Sequence, residues 1–248
     1  MPEIRWENTD AAALGTALGL PRVELHSRIP STLDRAHELG AAGAPAGTLV
    51  LAEMQTAGRG RAGRSWSSPA GTGIWLTVLE RPADPIAIQV LSLRVGLRAA
   101  RVLDRFADSG VRVKWPNDLQ LEGRKLAGIL IEARWRDARP DWVAIGFGLN
   151  VTLPTGMPGA ASLAPGTDRL EVLAELVPAL RAAAAARGEL GPRELDEFAS
   201  RDLAQGRQCL EPAPGEVRGI TPLGELIVAC DGRTATFSAG SLRLAEHP

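Results

Sequence analysis

A short stretch of the chain, EMQTAGRGRAGRSW at residues 53–66, contains three arginines and three glycines. Arginine offers planar, paired N–H donors that fit carboxylates and phosphates, and glycine lets main-chain amides converge on the same anion. Because apolar runs flank the stretch, we expect Arg59, Arg61 and Arg64 to lie at the end of a sheet, where ligands tend to bind. No GKS or GKT follows, as a Walker loop requires, and the stretch does not lead from a strand into a helix as a dinucleotide-binding loop does. A solvated, flexible loop is the alternative interpretation.

A second group of polar residues follows a short strand-like segment. In KWPNDLQLEGRKLAGILIE, residues 114–132, Asn117 and Asp118 come directly after a proline, at a strand end where polar groups can point into a site. Lys125 lies on the far limb of a predicted hairpin and is close enough in sequence to fold back over them. A third segment, GFGLN, ends in Asn150 after an apolar run. Taken singly, Asn117 and Asp118 also fit an ordinary turn, and Lys125 also fits a solvated hairpin lysine.

Strands and helices must position these residues. The pattern predicts strands in RVELH, GTLVLAEMQ, GTGIWLTVLER (which alternates), VRVKW and DWVAIGFGLNV, and a hairpin turning at Glu122–Gly123. Helices are predicted in STLDRAHELGAAGAP with Ser31 or Thr32 as cap, from Pro85 towards Gly110, at 168–187 and at 192–203. Pro178 should kink the third of these helices or mark its true start.

The residue pattern of the sequence changes at about residue 206. Short strands follow one another, with turns at Pro214–Gly215, Leu223–Gly224 and Asp231–Gly232, and no helical pattern appears. A β module of about 40 residues is too small to be comfortably stable alone, so we expect it to pack on the larger part of the chain. The predicted division is 1–204 and 205–248.

Composition excludes several classes of function. The 248 residues carry 28 basic and 29 acidic side chains, which argues against a surface built mainly for nucleic acid. Cys209 and Cys230 lack the spacing of a metal site, and the three histidines form no cluster, so no metal site is predicted. No apolar run approaches the roughly 18–20 residues of a membrane span, and no signal peptide is evident. We therefore expect a cytoplasmic protein without a membrane partner.

Taken together, the motifs resemble those of one family. From about Glu24 to Val151 the chain closely resembles biotin protein ligases, with four motifs in the order of that family: STLD, EMQTAGRGRAGRSW, KWPNDLQLEGRKLAGILIE and IGFGLNV. The β-rich tail resembles the SH3-like module of the same family. The resemblance implies an α+β fold like that of class II aminoacyl-tRNA synthetases: a mixed, mainly antiparallel sheet with flanking helices, plus a small C-terminal SH3-like β-barrel. It implies a ligase that converts biotin and ATP–Mg²⁺ into biotinyl-5′-AMP and pyrophosphate. The biotin then passes to a lysine of a biotin carboxyl carrier protein of the biotin-dependent carboxylases.

The resemblance also implies roles for particular residues. The implied biotin contacts are Ser31, Thr32, Gln55, Arg59, Gly60, Arg61 and Lys125. The implied ATP contacts are Arg59, Arg61, Asn117, Lys125 and Asn150, and the implied catalytic residues are Lys125, Arg61 and Asp118, with Asp118 orienting or deprotonating the carrier lysine. Trp66 and Trp115 are pocket walls or plain core residues. Leu33 stands where members of the family often have Asn, which puts that side-chain contact to biotin in doubt.

Three other interpretations are weighed against this one. A lipoate ligase should show an Arg-Arg and a glycine triplet in the equivalent loop, and this chain has GRGRAGR. An RNA-binding module should interleave aromatic residues between the arginines. A catalytically dead biotin sensor should lack Lys125 or the loop arginines. Because the motifs begin within about 25 residues of the start, we expect a stand-alone ligase without a DNA-binding domain, either monomeric or homodimeric.

Overall fold

The computed structural model describes residues 4–153, 159–230 and 232–245. A short hairpin of β1 (Arg5–Trp6) and β2 (Thr9–Asp10) precedes a seven-stranded sheet. The strands of that sheet are β3 (Arg22–His26), β4 (Thr48–Ala52), β5 (Gly73–Glu80), β6 (Arg112–Lys114), β7 (Asp118–Leu121), β8 (Arg124–Arg136) and β9 (Arg139–Asn150). Their order is β3-β4-β5-β9-β8-β7-β6, with β3 and β4 parallel and every other neighbouring pair antiparallel. The predicted mixed, mainly antiparallel sheet is confirmed.

Six α-helices accompany the strands in the described residues. They are α1 (Ala11–Leu18), α2 (Thr32–Ala41), α3 (Pro85–Gln89), α4 (Leu91–Leu103), α5 (Arg169–Ala185) and α6 (Pro192–Arg201). Ser31 is the N-cap of α2, as predicted, and its hydroxyl accepts the N–H of Asp34. None of these helices is long and apolar enough to cross a membrane.

Two details of the helices differ from the prediction. The single helix expected after Pro85 is two helices, because the chain breaks at Val90 between α3 and α4. Pro178 lies inside α5 and does not mark its start, so that alternative is wrong. The first turn of α3 begins as expected, with Asp84 accepting two backbone N–H groups and Pro85 at the first position, where a missing N–H costs nothing.

Helices cover both faces of the sheet. Along β4, Leu49 and Leu51 belong to the main core with α4 and α5, whereas Val50 belongs to a smaller cluster with α2 because successive side chains point to opposite faces. β5 is buried along its whole length, so the expected alternation of exposed and buried residues is wrong. Its polar Thr77 is also buried, and its hydroxyl donates to that of Thr32 at the start of α2 (2.9 Å).

A second, five-stranded antiparallel sheet forms the C-terminal part. Its strands are β10 (Gln208–Glu211), β11 (Gly215–Ile220), β12 (Leu226–Cys230), β13 (Arg233–Phe237) and β14 (Arg243–Leu244), in the order β13-β12-β11-β10-β14. Within residues 208–230 and 232–245 the sheet is barrel-like but not closed by hydrogen bonds. The turn at 223–224 falls between β11 and β12 as predicted, whereas the predicted turn at 214–215 overlaps β11, which begins at Gly215. Asp231 lies outside the described residues. The division at 204/205 stays a prediction.

One turn of the C-terminal sheet makes hydrogen bonds to the larger part of the chain. The carbonyl oxygen of Gly224 accepts the indole N–H of Trp115 (3.0 Å), and that of Pro222 accepts the N–H of Leu190 (2.9 Å). Gly224 has a left-handed φ of 77°, and a Cβ there would lie 2.9 Å from Leu93 of α4. Only glycine satisfies both the turn and the close approach.

Candidate functional site

A pocket with about 700 Å³ of empty space, including its mouth, opens on the α2 side of the large sheet. Segments far apart in sequence meet there: the start of α2, the Gly/Arg stretch, the β6–β7 turn and the middle of β8 and β9. The predicted site residues that line it are Ser31, Thr32, Gln55, Arg59, Gly60, Arg61, Asn117, Asp118 and Lys125.

One wall of the pocket is a closed network of uncharged polar groups. The side-chain oxygen of Gln55 accepts the backbone N–H (2.9 Å) and the hydroxyl (3.1 Å) of Thr32, and its amide donates to Ser68 (2.8 Å). Thr32 also accepts from Thr77 (2.9 Å). Ser31 and Thr32 are both almost fully buried. These bonds fix the donors and acceptors at the positive end of α2, where a polar, uncharged ligand group can be oriented.

The floor of the pocket is made of glycines covered by one tryptophan. Added Cβ atoms would come within 2.8 Å of Trp66 at Gly128 and within 2.5 Å at Gly148, so the close approach of the ring requires glycine at both positions. The indole N–H of Trp66 has no hydrogen-bond partner in the described part of the chain, so it is free to donate to a ligand. Trp66 is therefore a pocket wall, and Gly148 is a position where its ring approaches the backbone closely.

Leu33 adds an apolar side chain to the pocket lining. Its side chain belongs to the α2 cluster, lines the pocket and lies against Gly146. An Asn at this position could hydrogen-bond a ligand, whereas Leu33 offers only apolar contact.

The Gly/Arg stretch folds over the pocket as an ordered loop. The N–H of Gly60 donates to the carbonyl of Arg64 (2.7 Å), and a 3₁₀ turn spans Arg61–Gly63. Arg61 is half-buried; its guanidinium donates to the side-chain oxygen of Asn117 (3.2 Å), and burial lowers the pKa of Arg61. No carboxylate lies within 4.0 Å of the Arg61 side chain among the described residues, so its buried charge lacks a close counter-ion.

Arg59, by contrast, is paired with two acidic side chains. It contacts Asp34 of α2 (2.7 Å) and Glu132 of β8 (2.5 Å). Burial lowers the pKa of Arg59, but the hydrogen bonds and charges of these acids outweigh it and the net pKa is raised. Glu132 is itself held by His37 (2.9 Å), whose other ring nitrogen accepts the indole N–H of Trp142 (3.0 Å). Arg59 must exchange these acids for a ligand before it can bind an anion.

Lys125 and Asp118 form an ion pair inside the pocket. The lysine nitrogen lies 2.8 Å from Asp118 Oδ1 and 5.1 Å from the centre of the Trp66 ring. The register of β7 and β8 shifts between Leu119 and Gln120, which leaves Leu126 as an extra residue. Because of this bulge, Lys125 and Gly128 lie on the same face although they are three residues apart. The bulge thus aims the lysine into the pocket.

The two predicted asparagines differ in position. Asn117 lines the pocket, and its amide donates to the carbonyl of Ile129 (2.9 Å). Asn150 does not line the pocket; it is buried, and its amide donates to the carbonyls of Lys125 (3.3 Å) and Ala161 (3.2 Å). Asn150 therefore fixes the backbone that carries Lys125, and its contact with a nucleotide stays a prediction that the pocket geometry does not support.

One predicted pocket residue lies elsewhere, and three residues of the site were not predicted from the sequence. Trp115 is a buried residue bonded to the C-terminal sheet rather than a pocket wall. Thr77, Ser68 and Glu132 belong to the site but were not singled out. Thr77 had a signal, a hydroxyl in an otherwise apolar strand, whereas Ser68 and Glu132 are recruited by contacts between distant segments.

Comparison with known proteins agrees with this geometry. Residues 25–150 match the model of the Biotin/lipoate A/B protein ligase family. The chain is 40% identical over 127 residues to the "Bifunctional ligase/repressor BirA" of Bacillus subtilis, a match that spans 51% of the chain and 39% of that protein. It is 36% identical over 234 residues to the Escherichia coli protein of the same name, covering 86% of the chain and 70% of that protein.

A further relative and a solved structure extend the likeness. The "Biotin--[acetyl-CoA-carboxylase] ligase" of Mycobacterium tuberculosis is 36% identical over 217 residues, covering 79% of the chain and 78% of that protein. The structure of "Biotin protein ligase from Aquifex aeolicus in complex with biotin and ATP" superposes with a TM-score of 0.74 at 23% identity, over 92% of this chain and all of that one, and thus shows the fold. By the family model and by the length and identity of these matches, the chain belongs to the biotin/lipoate A/B protein ligase family.

Proposed function

We propose that the chain joins biotin to AMP at the expense of ATP and then transfers the biotinyl group to a lysine of a biotin carboxyl carrier protein. The observation that carries the proposal is the meeting of Lys125, Arg61 and Asp118 in one pocket with the Thr32–Gln55 network. The relatives named as biotin ligases support biotin as the substrate, and the Aquifex structure with biotin and ATP supports the nucleotide.

The two ends of the pocket suit the two ends of biotin. The ureido ring is polar and uncharged, and the fixed groups of Thr32 and Gln55 with the N-cap Ser31 offer it donors and acceptors in a buried setting. Leu33 and the glycine floor suit the apolar chain. The carboxylate then reaches the cationic end, where Lys125 and Arg61 would bind it together with the α-phosphate.

Adenylation requires two anions to approach each other. The biotin carboxylate and the α-phosphate repel, and fixed positive groups lower the barrier most where negative charge builds in the transition state. Arg61 suits this task because it is half-buried and no described carboxylate lies close to it, so an anion would offset the cost of burying its charge. Lys125 would exchange Asp118 for the reacting anions, which leaves Asp118 free for the second step.

Transfer requires a neutral amine. The carrier lysine arrives as an ammonium, and Asp118, once released from Lys125, would orient it and accept a proton from it. The neutral amine would then attack the acyl carbon of the mixed anhydride, and the bond from that carbon to the phosphate oxygen would break with release of AMP. Trp66 and the loop at residues 59–64 lie over the pocket and would keep water from the labile adenylate. Arg59 and Gly60 would contribute to this cover after Arg59 leaves Asp34 and Glu132.

The described residues offer no cluster that fits a resident metal. Within the described ranges, no three His, Cys, Asp or Glu side chains are grouped as metal ligands, and the pocket offers the single carboxylate of Asp118. Magnesium therefore enters the proposal only as the counter-ion of the nucleotide substrate. The proposal puts the reaction in the cytoplasm, as expected from the sequence.

The test is direct. The purified chain is incubated with ATP, magnesium, biotin and a carrier domain, and the carrier is expected to gain the mass of one biotinyl group on one lysine. Lipoate replaces biotin in a parallel reaction. Modification with lipoate but not with biotin would reverse the substrate assignment, and no modification with either would refute the proposed function.

A further inference from the structure

Lys114 is a half-buried lysine that the steps above do not use. In the β6–β7 pair it stands directly opposite Asp118, so both side chains lie on the same face of the sheet. Asp118, however, is already in contact with Lys125. Among the described residues no carboxylate lies within 4.0 Å of the Lys114 ammonium. Burial lowers the pKa of Lys114, and the nearby charges of Lys125, Arg64 and Arg207 lower it further against the pull of Asp118.

Arg64 and Arg207 have the same lack of acidic partners. Arg64 lines the pocket, and its guanidinium donates a hydrogen bond to the carbonyl of Arg61 (3.3 Å). Arg207 lies just before the first strand of the C-terminal sheet and forms no ion pair within the described ranges. The segment just before it runs along β6, with the N–H of Leu203 donating to the carbonyl of Val113 (3.0 Å). This pairing brings the segment that leads to Arg207 alongside β6, and the positive charge of Arg207 is close enough to lower the pKa of Lys114.

The result is a local excess of positive charge in a chain whose total charge is balanced. Like charges held together at a partly desolvated site repel each other, and an anion with several negative charges relieves that repulsion. The cluster of Lys114, Arg64 and Arg207 adjoins the Lys125–Asp118 pair, where the proposed reaction takes place. A polyanion that extends away from the reacting carboxylate would reach it.

We propose that Lys114, with Arg64 and Arg207, binds the β- and γ-phosphates of ATP and the pyrophosphate that leaves. The inference rests on the proposed function. In that reaction a carboxylate oxygen bonds to the α-phosphorus, the bond from the α-phosphorus to the α–β bridging oxygen breaks, and its electron pair leaves on pyrophosphate. Cations at the leaving group stabilise this developing charge. Through Arg207, the C-terminal segment would contribute one phosphate-binding side chain to the site.

The experiment measures binding rather than turnover. Titration calorimetry on the full chain, without biotin, compares inorganic pyrophosphate with AMP, which lacks the β- and γ-phosphates. Lys114→Met is expected to weaken pyrophosphate binding at least tenfold and to leave AMP binding within about twofold. Arg207→Met should act in the same direction and serves as an independent variant if Lys114→Met does not fold, which thermal unfolding reports.

Arg124→Met is the matched control. Arg124 is an exposed cation on the β7–β8 hairpin, paired with Glu122, and its loss removes one positive charge beside the site without touching the cluster. It should leave pyrophosphate affinity within about twofold. The inference is overturned if the wild-type chain binds no pyrophosphate, if Lys114→Met and Arg207→Met bind it as wild type does, or if AMP binding falls equally. Carrier modification by the wild type reports separately on the proposed function.

Discussion

Asp202 is a buried carboxylate where α6 ends and the chain turns along β6. Only 3% of the residue is exposed; one side-chain oxygen accepts the N–H of Ala204 (2.9 Å), and the other has no partner in the described part of the chain. Burial raises the pKa of Asp202 from 3.8 to about 6, and the Ala204 bond and the charge of Arg112 offset only part of that effect. We expect this carboxylate to destabilise the folded chain at neutral pH.

The sign follows from proton binding. Between pH 3.8 and about 6 the folded chain keeps a proton on Asp202 that the unfolded chain has lost, so the free energy of unfolding falls as pH rises through that window. At about 1.4 kcal/mol per pKa unit, the full loss is ~3 kcal/mol above pH 6. Asp202→Asn keeps the oxygen that accepts from Ala204 and cannot ionise. The difference in free energy of unfolding between the variant and wild type should therefore grow by about 2 kcal/mol, in favour of the variant, when the pH is raised from 4.5 to 7.5.

Urea unfolding followed by tryptophan fluorescence measures this difference, since the chain has six tryptophans. Comparing the two pH values cancels any constant cost of fitting the new amide. Asp196→Asn, at an exposed position of α6, controls for the loss of one negative charge. An equal effect of Asp202→Asn at both pH values would mean that the buried carboxylate ionises as it does in the unfolded chain, and the reasoning would be refuted.

Three predictions concern the pocket. Lys125→Met should slow biotin-dependent pyrophosphate exchange by about 10²–10³-fold, as the loss of one hydrogen-bond donor to a transition state does in other enzymes. The midpoint of thermal unfolding should stay near that of wild type. A normal exchange rate would show that Lys125 takes no part in the reaction. Asp118→Asn should slow transfer to the carrier more than adenylate formation in single-turnover assays, and equal loss in both steps would contradict its role as base. Gly148→Ala should weaken biotin and ATP binding at least tenfold, because the new Cβ displaces Trp66; unchanged affinity by calorimetry would show that the ring can move without loss.

The parts of the fold that sequence could predict are those that local chemistry decides. Ser31 caps α2 because its side chain satisfies a free N–H, whatever lies beyond the helix. The hairpin turn at Glu122–Gly123 has left-handed φ values of 51° and 75°, which glycine readily adopts at the second position. The strands around the site were recognisable from their apolar runs.

The parts that sequence could not predict depend on contacts between distant segments. The bulge at Leu126 decides which way Lys125 points, and nothing in KLAGIL marks the extra residue. The pairing of Arg59 with Glu132, 73 residues away, shows why the loop arginines are not equivalent. Arg61 and Arg64 stay without carboxylate partners in the described residues, and composition alone cannot distinguish them from Arg59.

The C-terminal sheet is tied to the pocket through Trp115. Its indole N–H donates to Gly224 of the small sheet, and the next residue, Pro116, accepts a hydrogen bond through its carbonyl from the hydroxyl of Ser92 in α4 (3.0 Å). Asn117 follows immediately and faces Arg61. A buried ring and two hydrogen bonds therefore hold the backbone just before Asn117, one bond coming from the Gly224 turn and the other from α4. The small sheet thus helps to set the position of Asn117 and, beside it, Asp118.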